Sequence, residues 1–384
     1  MDTKEKIGLI TFHGHNYGSN LQCYSTKSFV ESLGFQCDLL KLKRSKLSFF
    51  ERVKRIPHHI LKIVKNPLFL KIRYKEKKYK SHLSDVSAKL MDDFVMQFLN
   101  PIKLEYKELC STSKYAYFIT GSDQVWNVFC DVSPLAFLQF TSRNKRIALA
   151  TSFGISEIPR CNQKKLRQAL DGFDYISVRE ETGAQIVKEY SNAKVCRISD
   201  PTFIYNSEEW SSHIKNVEPI QKKFILVHFL DEPNQAAIKS IKWLQEQSNL
   251  DVIAIGYNYQ ALSCLKRFDF MNGGPWEYVS LIKQADYILT DSFHSVLFSI
   301  NFNKRFFIFH RQYTESRQTS RITDLLKRFD LENRLIESDD VIKKNYLENL
   351  PEYTQTVLEK ERDVIRDYIQ KSISGKIPEC FLQK

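Results

Sequence analysis

The sequence predicts an α/β protein made of two Rossmann-like halves, each with a mostly parallel sheet. Three observations lead to this prediction. Short apolar runs alternate with helical segments from the amino terminus onward, and the alternation restarts after residue 223. The chain has 384 residues, which is too long for one ordinary hydrophobic core. Two halves of this kind account for both the length and the pattern.

The first half opens with a strand, a loop, a helix and a second strand, which is how a doubly wound sheet begins. The apolar run 7–12 predicts the first strand, 21–33 the helix and 37–40 the second strand. An alternative role for Asn20 or Ser19 is to cap this helix. Later strands are predicted at 115–120, 146–151, 175–178 and 194–198, and helices at 86–99, 164–170 and 181–190.

The polar stretch 207–218 is interpreted as a linker, after which the second half begins. Strands are predicted there at 224–229, 252–255, 287–289 and 306–309, and helices at 235–247, 276–284, 296–302, 320–331 and 352–372. The predicted domains are 1–208, 209–345 and 346–384, the last being a helix that packs back on the body. This arrangement resembles the GT-B glycosyltransferase architecture, and such folds bind ligands in the crevice at the carboxyl ends of their strands.

The net charge of +12 is concentrated in one basic insertion, residues 41–80, which holds fifteen Lys and Arg residues and only two acids. Because apolar side chains interleave with the basic ones, two interpretations stay open. The segment is either a solvated basic helix pair or an amphipathic surface that holds the protein on the inner face of a membrane. We do not expect it to bind nucleic acid, since no DNA- or RNA-binding motif accompanies the charge.

The amino terminus and the cysteines favour a cytoplasmic protein. The first apolar run is too short for a signal peptide, and no run reaches the ~18 apolar residues of a membrane span. The eight cysteines are scattered without a C-x-x-C pair. We therefore expect reduced thiols, and neither disulfides nor a zinc site.

Polar residues directly follow five predicted strands, in the segments 13–20, 121–127, 152–154, 179–180 and 291–295. Such folds bind ligands at the carboxyl ends of their strands, so these loops are the candidate site. The first loop contains two glycines and leads into a helix amino terminus, which favours close approach of an anion. Its spacing is not G-x-G-x-x-G, so it does not predict a dinucleotide site.

Two of these loops carry side chains suited to a sugar. Hydroxyl, carboxylate and amide groups beside an indole match the hydroxyls and the apolar face of a pyranose. The expected sugar contacts are Asn16, Tyr17 and Asn20 in the first loop and Ser122, Gln124, Trp126 and Asn127 in the second, where Asp123 is an expected catalytic group. The structural alternatives are a helix cap for the first loop and an Asx-turn over a buried Trp for the second.

Arg179 and His294 are the candidates for binding an anion. Arg179 directly follows the strand 175–178, and a guanidinium there is a good bidentate partner for phosphate or carboxylate. Its alternative role is a surface ion pair. His294 lies between a predicted strand and a predicted helix, and its ordinary pKa near neutrality suits a general acid or an anion partner. Its alternative role is structural.

The motifs also resemble those of a known family. In chain order they read "HNYGSNLQCYSTKSFVESLGF", "YFITGSDQVWN", "RIALATSFG", "YISVREETG", "ISDPTFIY", "ILTDSFHSVLFSINFNKRFFIF" and "SRITDLL". Together they resemble the polysaccharide pyruvyl transferase family over about residues 7–335, with 41–80 as the least similar part. The combination of "GSDQVW" with "TDSFHS" and the following "FNK" is the specific feature, because each motif alone is weak.

The resemblance implies an enzyme that moves the enolpyruvyl unit of phosphoenolpyruvate onto two hydroxyls of a hexose or hexosamine, forming a pyruvate ketal. It implies that Arg179 and His294 bind phosphoenolpyruvate. The expected catalytic groups are His294 and Asp123. Some members have an arginine two residues before the histidine, where this chain has Ser292. Ser292 is itself an expected phosphoenolpyruvate contact. Arg321, expected to open a helix, is the candidate replacement for the missing arginine, and Arg311 is a weaker one.

The expected partners are phosphoenolpyruvate, a lipid-linked or nucleotide-linked sugar acceptor and the inner membrane surface, with no cofactor and no metal. Two other functions stay open. A nucleotide-sugar-dependent glycosyltransferase would have the same architecture, but no ribose or base site is identified in the sequence. A non-catalytic basic adaptor at the membrane would explain the basic insertion, but not the five polar loops.

Overall fold

The structure is a computed structural model, and it describes residues 4–43, 74, 78, 81–311, 315–337, 340–343 and 347–382. Most of the basic insertion predicted at 41–80 lies outside the described residues. The strands are β1 (Lys6–Ile10), β2 (Gln36–Leu42), β3 (His82–Leu83), β4 (Ile102–Leu104), β5 (Tyr115–Gly121), β6 (Arg146–Thr151), β7 (Tyr175–Val178), β8 (Lys194–Arg197), β9 (Phe224–His228), β10 (Asp251–Ile255), β11 (Tyr257–Asn258), β12 (Phe268–Met271), β13 (Tyr287–Thr290), β14 (Arg305–Phe309) and β15 (Leu335–Ile336).

The α-helices alternate with these strands. They are α1 (Tyr17–Ser32), α2 (Asp85–Phe94), α3 (Tyr106–Ser111), α4 (Arg160–Leu170), α5 (Glu181–Tyr190), α6 (Ser207–His213), α7 (Gln235–Ser248), α8 (Pro275–Gln284), α9 (Phe293–Asn301), α10 (Glu315–Phe329) and α11 (Tyr353–Ile373). A π-helical turn, Val95–Leu99, extends α2. Among the described residues, no helix combines the length and the apolar character needed to cross a membrane.

Two parallel sheets form the body of the protein, which confirms the predicted fold class. The first has seven strands in the order β4-β2-β1-β5-β6-β7-β8, and the second has six in the order β12-β10-β9-β13-β14-β15. The strand order reverses between β1 and β5 in the first sheet and between β9 and β13 in the second. Such switch points open a crevice at the carboxyl ends of the strands, where ligands bind in these folds.

Two further connections join the halves. The short strand β3 comes from the first half and pairs antiparallel with β11, placing His82 opposite Asn258. The last helix, α11, returns to the first half, where the Tyr368 hydroxyl donates to the carbonyl of Ala148 at 2.6 Å. The carboxyl-terminal helix thus follows the second sheet in sequence but packs against residues of the first.

Helix α10 of the second half also docks on loops of the first half. Oδ2 of Asp324 accepts a hydrogen bond from the backbone N–H of Glu181 at 2.7 Å, at the first residue of α5. Arg328 donates to Oγ of Ser199 at 2.7 Å and to the carbonyl of Arg179 at 3.3 Å. One face of this helix therefore contacts the loops that follow β7 and β8.

The interpretation of 207–218 as loop-like is wrong for residues 207–213, which form helix α6. Asn206 caps that helix by accepting from two backbone N–H groups, and the Glu209 carboxylate in turn accepts from the Asn206 N–H. Trp210 is fully buried, and its indole N–H donates to the carbonyl of Thr202 at 3.0 Å. A capping box and one buried aromatic outweigh the polar composition.

Two predicted helix starts are also wrong. Helix α1 begins at Tyr17. Its cap is Asn16, whose side chain accepts from the Ser19 N–H, and neither Ser19 nor Asn20 is the cap. Helix α10 begins at Glu315, so Arg321 lies inside the helix and does not open it. The short strands β4, β12 and β15 lie on or next to sheet edges and carry no strong apolar run, so the sequence did not predict them.

Candidate functional site

The two switch points face each other across the crevice, where the halves touch. A Cβ atom added at Gly18 would lie 2.1 Å from Cγ of His294, so only glycine fits opposite this imidazole. Beside it, Tyr17 stacks on Tyr278 with ring centroids 4.6 Å apart. The Tyr17 hydroxyl donates to the carbonyl of Gly273 at 2.8 Å. Tyr17 is buried in this contact between the halves and has no surface exposed to a sugar.

Arg179, at the carboxyl end of β7, lies at the centre of the candidate site. Its Nη1 atom donates to Oδ2 of Asp200 at 2.6 Å, and its Nη2 atom lies 3.6 Å from Oδ1 of Asp123. The guanidinium is buried and lies 4.8 Å from the ring centroid of Phe293. Within the described part of the chain, Nε and Nη2 have no hydrogen-bond partner. These two atoms remain available for an anion.

Asp200, which follows β8, organises this centre. Its Oδ1 atom accepts from the N–H and the hydroxyl of Thr202, both at 3.0 Å. Its Oδ2 atom accepts from the Ser122 hydroxyl at 2.7 Å as well as from Arg179. Burial alone would raise the pKa of Asp200, but the charges of Arg179 and His294 outweigh it and hold the pKa below its ordinary value. Asp200 is therefore a buried carboxylate that fixes the direction of the arginine.

Asp123 lies on the other side of Arg179, directly after β5. The residue has a positive φ of 64°, and its Oδ2 atom accepts from the Ser19 hydroxyl at 2.6 Å. Burial would raise its pKa, yet the Arg179 and His294 charges hold the pKa below its ordinary value. The residue is thus an ionised carboxylate beside the guanidinium.

His294 enters the site from the first turn of α9. Its Nε2 atom lies 3.8 Å from Oδ2 of Asp200 and has no hydrogen-bond partner among the described residues. Burial lowers the pKa of His294 below its ordinary value, although Asp200 and Asp123 act in the opposite direction. The lowered pKa favours the neutral imidazole near pH 7, so the charge of His294 acts on Asp200 and Asp123 only at the lower pH where the imidazole is protonated. Ser292 caps α9 by accepting from the Ser295 N–H.

Arg321 brings a second guanidinium to the same aromatic ring. Its guanidinium carbon lies 5.3 Å from the Phe293 centroid, while that of Arg179 lies at 4.8 Å. Burial, together with the charge of Arg179, lowers the pKa of Arg321 to about 9. When the Gln124 amide is turned so that its oxygen faces Arg321, it accepts from the guanidinium at 2.9 and 3.2 Å. Two buried cations thus share one small region.

Glu180 closes the site on the side of the first half. Its Oε1 atom accepts from the Ser152 hydroxyl at 2.8 Å and from the Phe153 N–H at 3.0 Å. A small cavity of about 10 Å³ adjoins it. The cavity is lined by Arg179, Glu180, Ser199, Asp200, Phe293, Leu297, Arg321, Leu325 and Arg328. Charged groups of both signs therefore surround a small space, about the size needed for one water molecule.

The structure brings some of the expected residues together and separates others. Ser122, Asp123, Gln124, Arg179, Ser292, His294 and Arg321 all lie at the crevice. Trp126 does not, because its ring is fully buried, stacks on Phe137 and donates to the carbonyl of Ala136. It offers no face to a sugar.

Three expected sugar contacts have local structural roles. Asn20 is fully buried, and its amide bonds both the N–H and the carbonyl of Gly14 at 2.7 Å. Asn16 caps α1. Asn127 is exposed, with its amide oxygen accepting from the Phe129 N–H. The weaker candidate Arg311 approaches Asp291, with Nε lying 3.6 Å from Oδ2.

Asp200 was not predicted to belong to this site, and Glu180 lay in the predicted candidate loop 179–180 without an assigned role. Asp200 lies in the quoted segment "ISDPTFIY" and Glu180 in "YISVREETG", each directly after a strand. Their positions at strand ends were the available signal. Among the described residues, no cluster of three or more His, Cys, Asp or Glu side chains could hold a metal ion.

The comparisons with known proteins give a family and several distant folds. The sequence model of the family described as Polysaccharide pyruvyl transferase matches residues 16–313. No curated protein matches this chain in sequence.

Among solved structures, a putative UDP-N-acetylglucosamine 2-epimerase from Listeria monocytogenes is 9% identical, with 86% of this chain and 89% of that chain covered and a TM-score of 0.46. Arabidopsis thaliana UGT89C1 complexed with UDP-L-rhamnose is 9% identical, with 97% and 98% covered and a TM-score of 0.43. A UDP-GlcNAc 2-epimerase from Neisseria meningitidis is 8% identical, with 98% and 97% covered and a TM-score of 0.46.

Proposed function

Because the chain belongs to the polysaccharide pyruvyl transferase family, we propose that it moves the enolpyruvyl unit of phosphoenolpyruvate onto a hexose or hexosamine. The product is a pyruvate ketal on a sugar destined for a surface polysaccharide. The observation that carries this proposal is the convergence of Arg179, Arg321 and His294 on one buried region between the switch points.

Phosphoenolpyruvate is a small anion with a carboxylate and a phosphate, so it needs several fixed cationic donors. Arg179 offers Nε and Nη2, while Asp200 holds Nη1. Arg321 offers a second guanidinium near Phe293. It takes the place of the family arginine that this chain lacks at Ser292. A bridging anion would also relieve the repulsion between the two buried guanidinium groups.

The reaction joins the donor to two hydroxyls of the acceptor. A proton adds to the methylene carbon of phosphoenolpyruvate, positive charge develops on the neighbouring carbon, and a sugar hydroxyl attacks that carbon. Phosphate then leaves, and the second hydroxyl closes the ketal. Each hydroxyl loses its proton, so the net products are the ketal and phosphate. We assign proton delivery to His294, because bound anions favour its charged form.

We assign removal of the hydroxyl proton to Asp123. Its low pKa keeps it ionised, and it lies at the crevice end of β5 beside Arg179. A weak base in this position can accept the proton as the hydroxyl attacks. Its hydrogen bond from Ser19 fixes the carboxylate in one orientation.

The experiment that tests the proposal incubates the protein with phosphoenolpyruvate and a panel of lipid-linked and nucleotide-linked hexosides. Phosphate release is measured together with the mass of each acceptor. Acceptor-dependent phosphate release with a mass gain of one pyruvate ketal is the expected result. Transfer of a sugar from a nucleotide-sugar, without any reaction of phosphoenolpyruvate, would instead indicate a glycosyltransferase.

We also propose that residues 41–80 hold the protein on the anionic inner face of a membrane, where a lipid-linked acceptor is presented. The charge of this segment in the sequence supports the proposal, at roughly 1 kcal/mol for each basic residue near the surface. Binding to anionic vesicles should weaken steeply as salt screens the charges. Equal binding to neutral and anionic vesicles would contradict it, and a variant with glutamine at these Lys and Arg positions is the control.

A further inference from the structure

Phe12 is an exposed aromatic residue at the switch point of the first sheet. It follows β1, and half of its surface, 50%, is open to solvent. The loop after β5, which carries Asp123, is its neighbour across the switch point. The Thr11 hydroxyl joins the two loops by donating to the carbonyl of Ser122 at 3.2 Å. The loop that exposes this ring is therefore joined to the loop that carries the ionised Asp123 carboxylate.

Buried amide side chains form hydrogen bonds with the backbone of the loop that carries this ring. Gln22 is fully buried, and its amide donates to the Thr11 hydroxyl at 2.9 Å and to the Phe12 carbonyl at 3.0 Å. Asn20, also fully buried, bonds both backbone groups of Gly14 at 2.7 Å. Two buried amides thus order a loop that exposes an apolar ring. An aromatic side chain on an ordered loop at the ligand-binding edge of the sheet is a candidate contact for a ligand.

The residue that follows Phe12 in the loop, and the lysine that contacts it, are polar and suit hydroxyls. Nδ1 of His13 lies 3.3 Å from the carbonyl of Thr11, and Nζ of Lys41 lies 3.4 Å from its Nε2. Burial and the charge of Lys41 lower the pKa of His13, so this imidazole is neutral. A neutral imidazole and an ammonium group can bond hydroxyls without repelling an uncharged sugar.

We propose that Phe12 is the stacking surface for the pyranose ring of the acceptor, with His13 and Lys41 beside it. The acceptor class is a hexopyranoside that presents an apolar ring face to Phe12 and a hydroxyl pair to Asp123. This inference rests on the proposed function and deepens it by locating the acceptor on the first half. It gives the stacking role, expected in sequence for Trp126, to a ring that is exposed.

The test measures sugar binding directly, with no phosphoenolpyruvate and no transfer step. The probe is methyl β-D-galactopyranoside, followed by saturation-transfer NMR on the whole chain. We compare the wild type with Phe12→Tyr, which keeps an aromatic ring, and with Phe12→Ala. Tyr106→Ala is the matched control, because Tyr106 is 39% exposed on α3, which leads into the amino end of β5 at the opposite edge of the sheet. D-Mannitol, which has no pyranose ring, is the control ligand.

The wild type, Phe12→Tyr and Tyr106→Ala should bind the galactoside alike, and Phe12→Ala should bind it about tenfold more weakly. Mannitol should give no ring-dependent signal. Unchanged binding by Phe12→Ala would overturn the proposal, as would a wild type that binds no hexoside. Melting temperatures show whether Phe12→Ala has a folding defect. If it has one, sugar binding by Phe12→Tyr alone decides. If sugar binding depends on Phe12 but no ketal forms, the stacking surface stands and the reaction assignment fails.

Discussion

Oδ2 of Asp200 lies 2.6 Å from Nη1 of Arg179, so the arginine expected to bind the donor anion is itself bound by a buried carboxylate. The same oxygen accepts from Ser122 and lies 3.8 Å from Nε2 of His294. One oxygen atom therefore connects the proposed anion-binding arginine with the proposed proton donor. A change at Arg179 should therefore affect His294, and a change at His294 should affect Arg179.

Arg179→Ala should raise the Michaelis constant for phosphoenolpyruvate by about 30- to 150-fold, which corresponds to the roughly 2–3 kcal/mol of a charge-assisted contact. The constant for the sugar should change far less. The variant should also melt at a lower temperature, because it leaves Asp200 buried without its cation. Steady-state kinetics with each substrate varied in turn provides the measurement. An unchanged constant for phosphoenolpyruvate would remove Arg179 from the donor site.

Asp200→Asn should shift the pH dependence of turnover. The Asp200 carboxylate favours the charged form of His294, so its loss lowers the pKa of the imidazole further. Asp123, Arg179 and Arg321 also face this imidazole and are unchanged in the variant. The activity limb that requires protonated His294 should therefore move to lower pH.

The control for that experiment is Asp38→Asn. Asp38 is a buried carboxylate in the same half, and it accepts from the Tyr115 hydroxyl at 3.0 Å and from Gln36 at 2.9 Å. Its replacement should lower stability without moving the pH profile. If both variants leave the profile where it is in the wild type, Asp200 has only a structural role.

His294→Gln should lower the turnover number by about 10²–10⁴ with little change in melting temperature. Glutamine has a similar size and can form hydrogen bonds, but it cannot deliver a proton. Turnover and thermal melts on the same preparation separate the two roles of His294. Retained activity, or activity and stability lost together, would assign His294 a structural role.

Gly18→Ala should lower turnover by up to about 100-fold, because the new methyl group would lie 2.1 Å from the His294 ring and must displace it. Gly183→Ala is the control, since a Cβ there meets its nearest neighbour at 3.4 Å inside helix α5. The control should retain activity, and a helical Gly→Ala change often adds stability. Equal activity of the two variants would show that the contact with His294 does not matter.

The sequence was sufficient for elements with strong periodic patterns. The apolar runs 115–120, 146–151 and 175–178 all became central strands of the first sheet. The sequence was insufficient wherever a residue could either stabilise the fold or contact a ligand. Trp126 has polar neighbours in the sequence but is buried. Asn20 forms a hydrogen bond with the backbone of Gly14 in the loop that precedes α1. Only three-dimensional contacts distinguish a cap or a core ring from a ligand.

The candidate site was harder to predict than the fold, because its bonds join residues far apart in sequence. Asp200 bonds Ser122, which lies 78 positions earlier in the chain. No local pattern contains this pairing. Arg321 became a candidate through the resemblance to a family, and its actual place inside α10 differs from the expected helix start.

The docking of α10 on the first half limits how the two halves can be exchanged between relatives. The guanidinium of Arg321 belongs to one half, while Gln124, Glu180 and Arg179 around it belong to the other. Exchanging a whole half between two relatives would combine an arginine with carboxylates and amides that had never been selected together. We therefore expect such chimeras to lose donor affinity unless α10 is exchanged together with the first half. Although α10 lies in the second half, it would have to be inherited with the first.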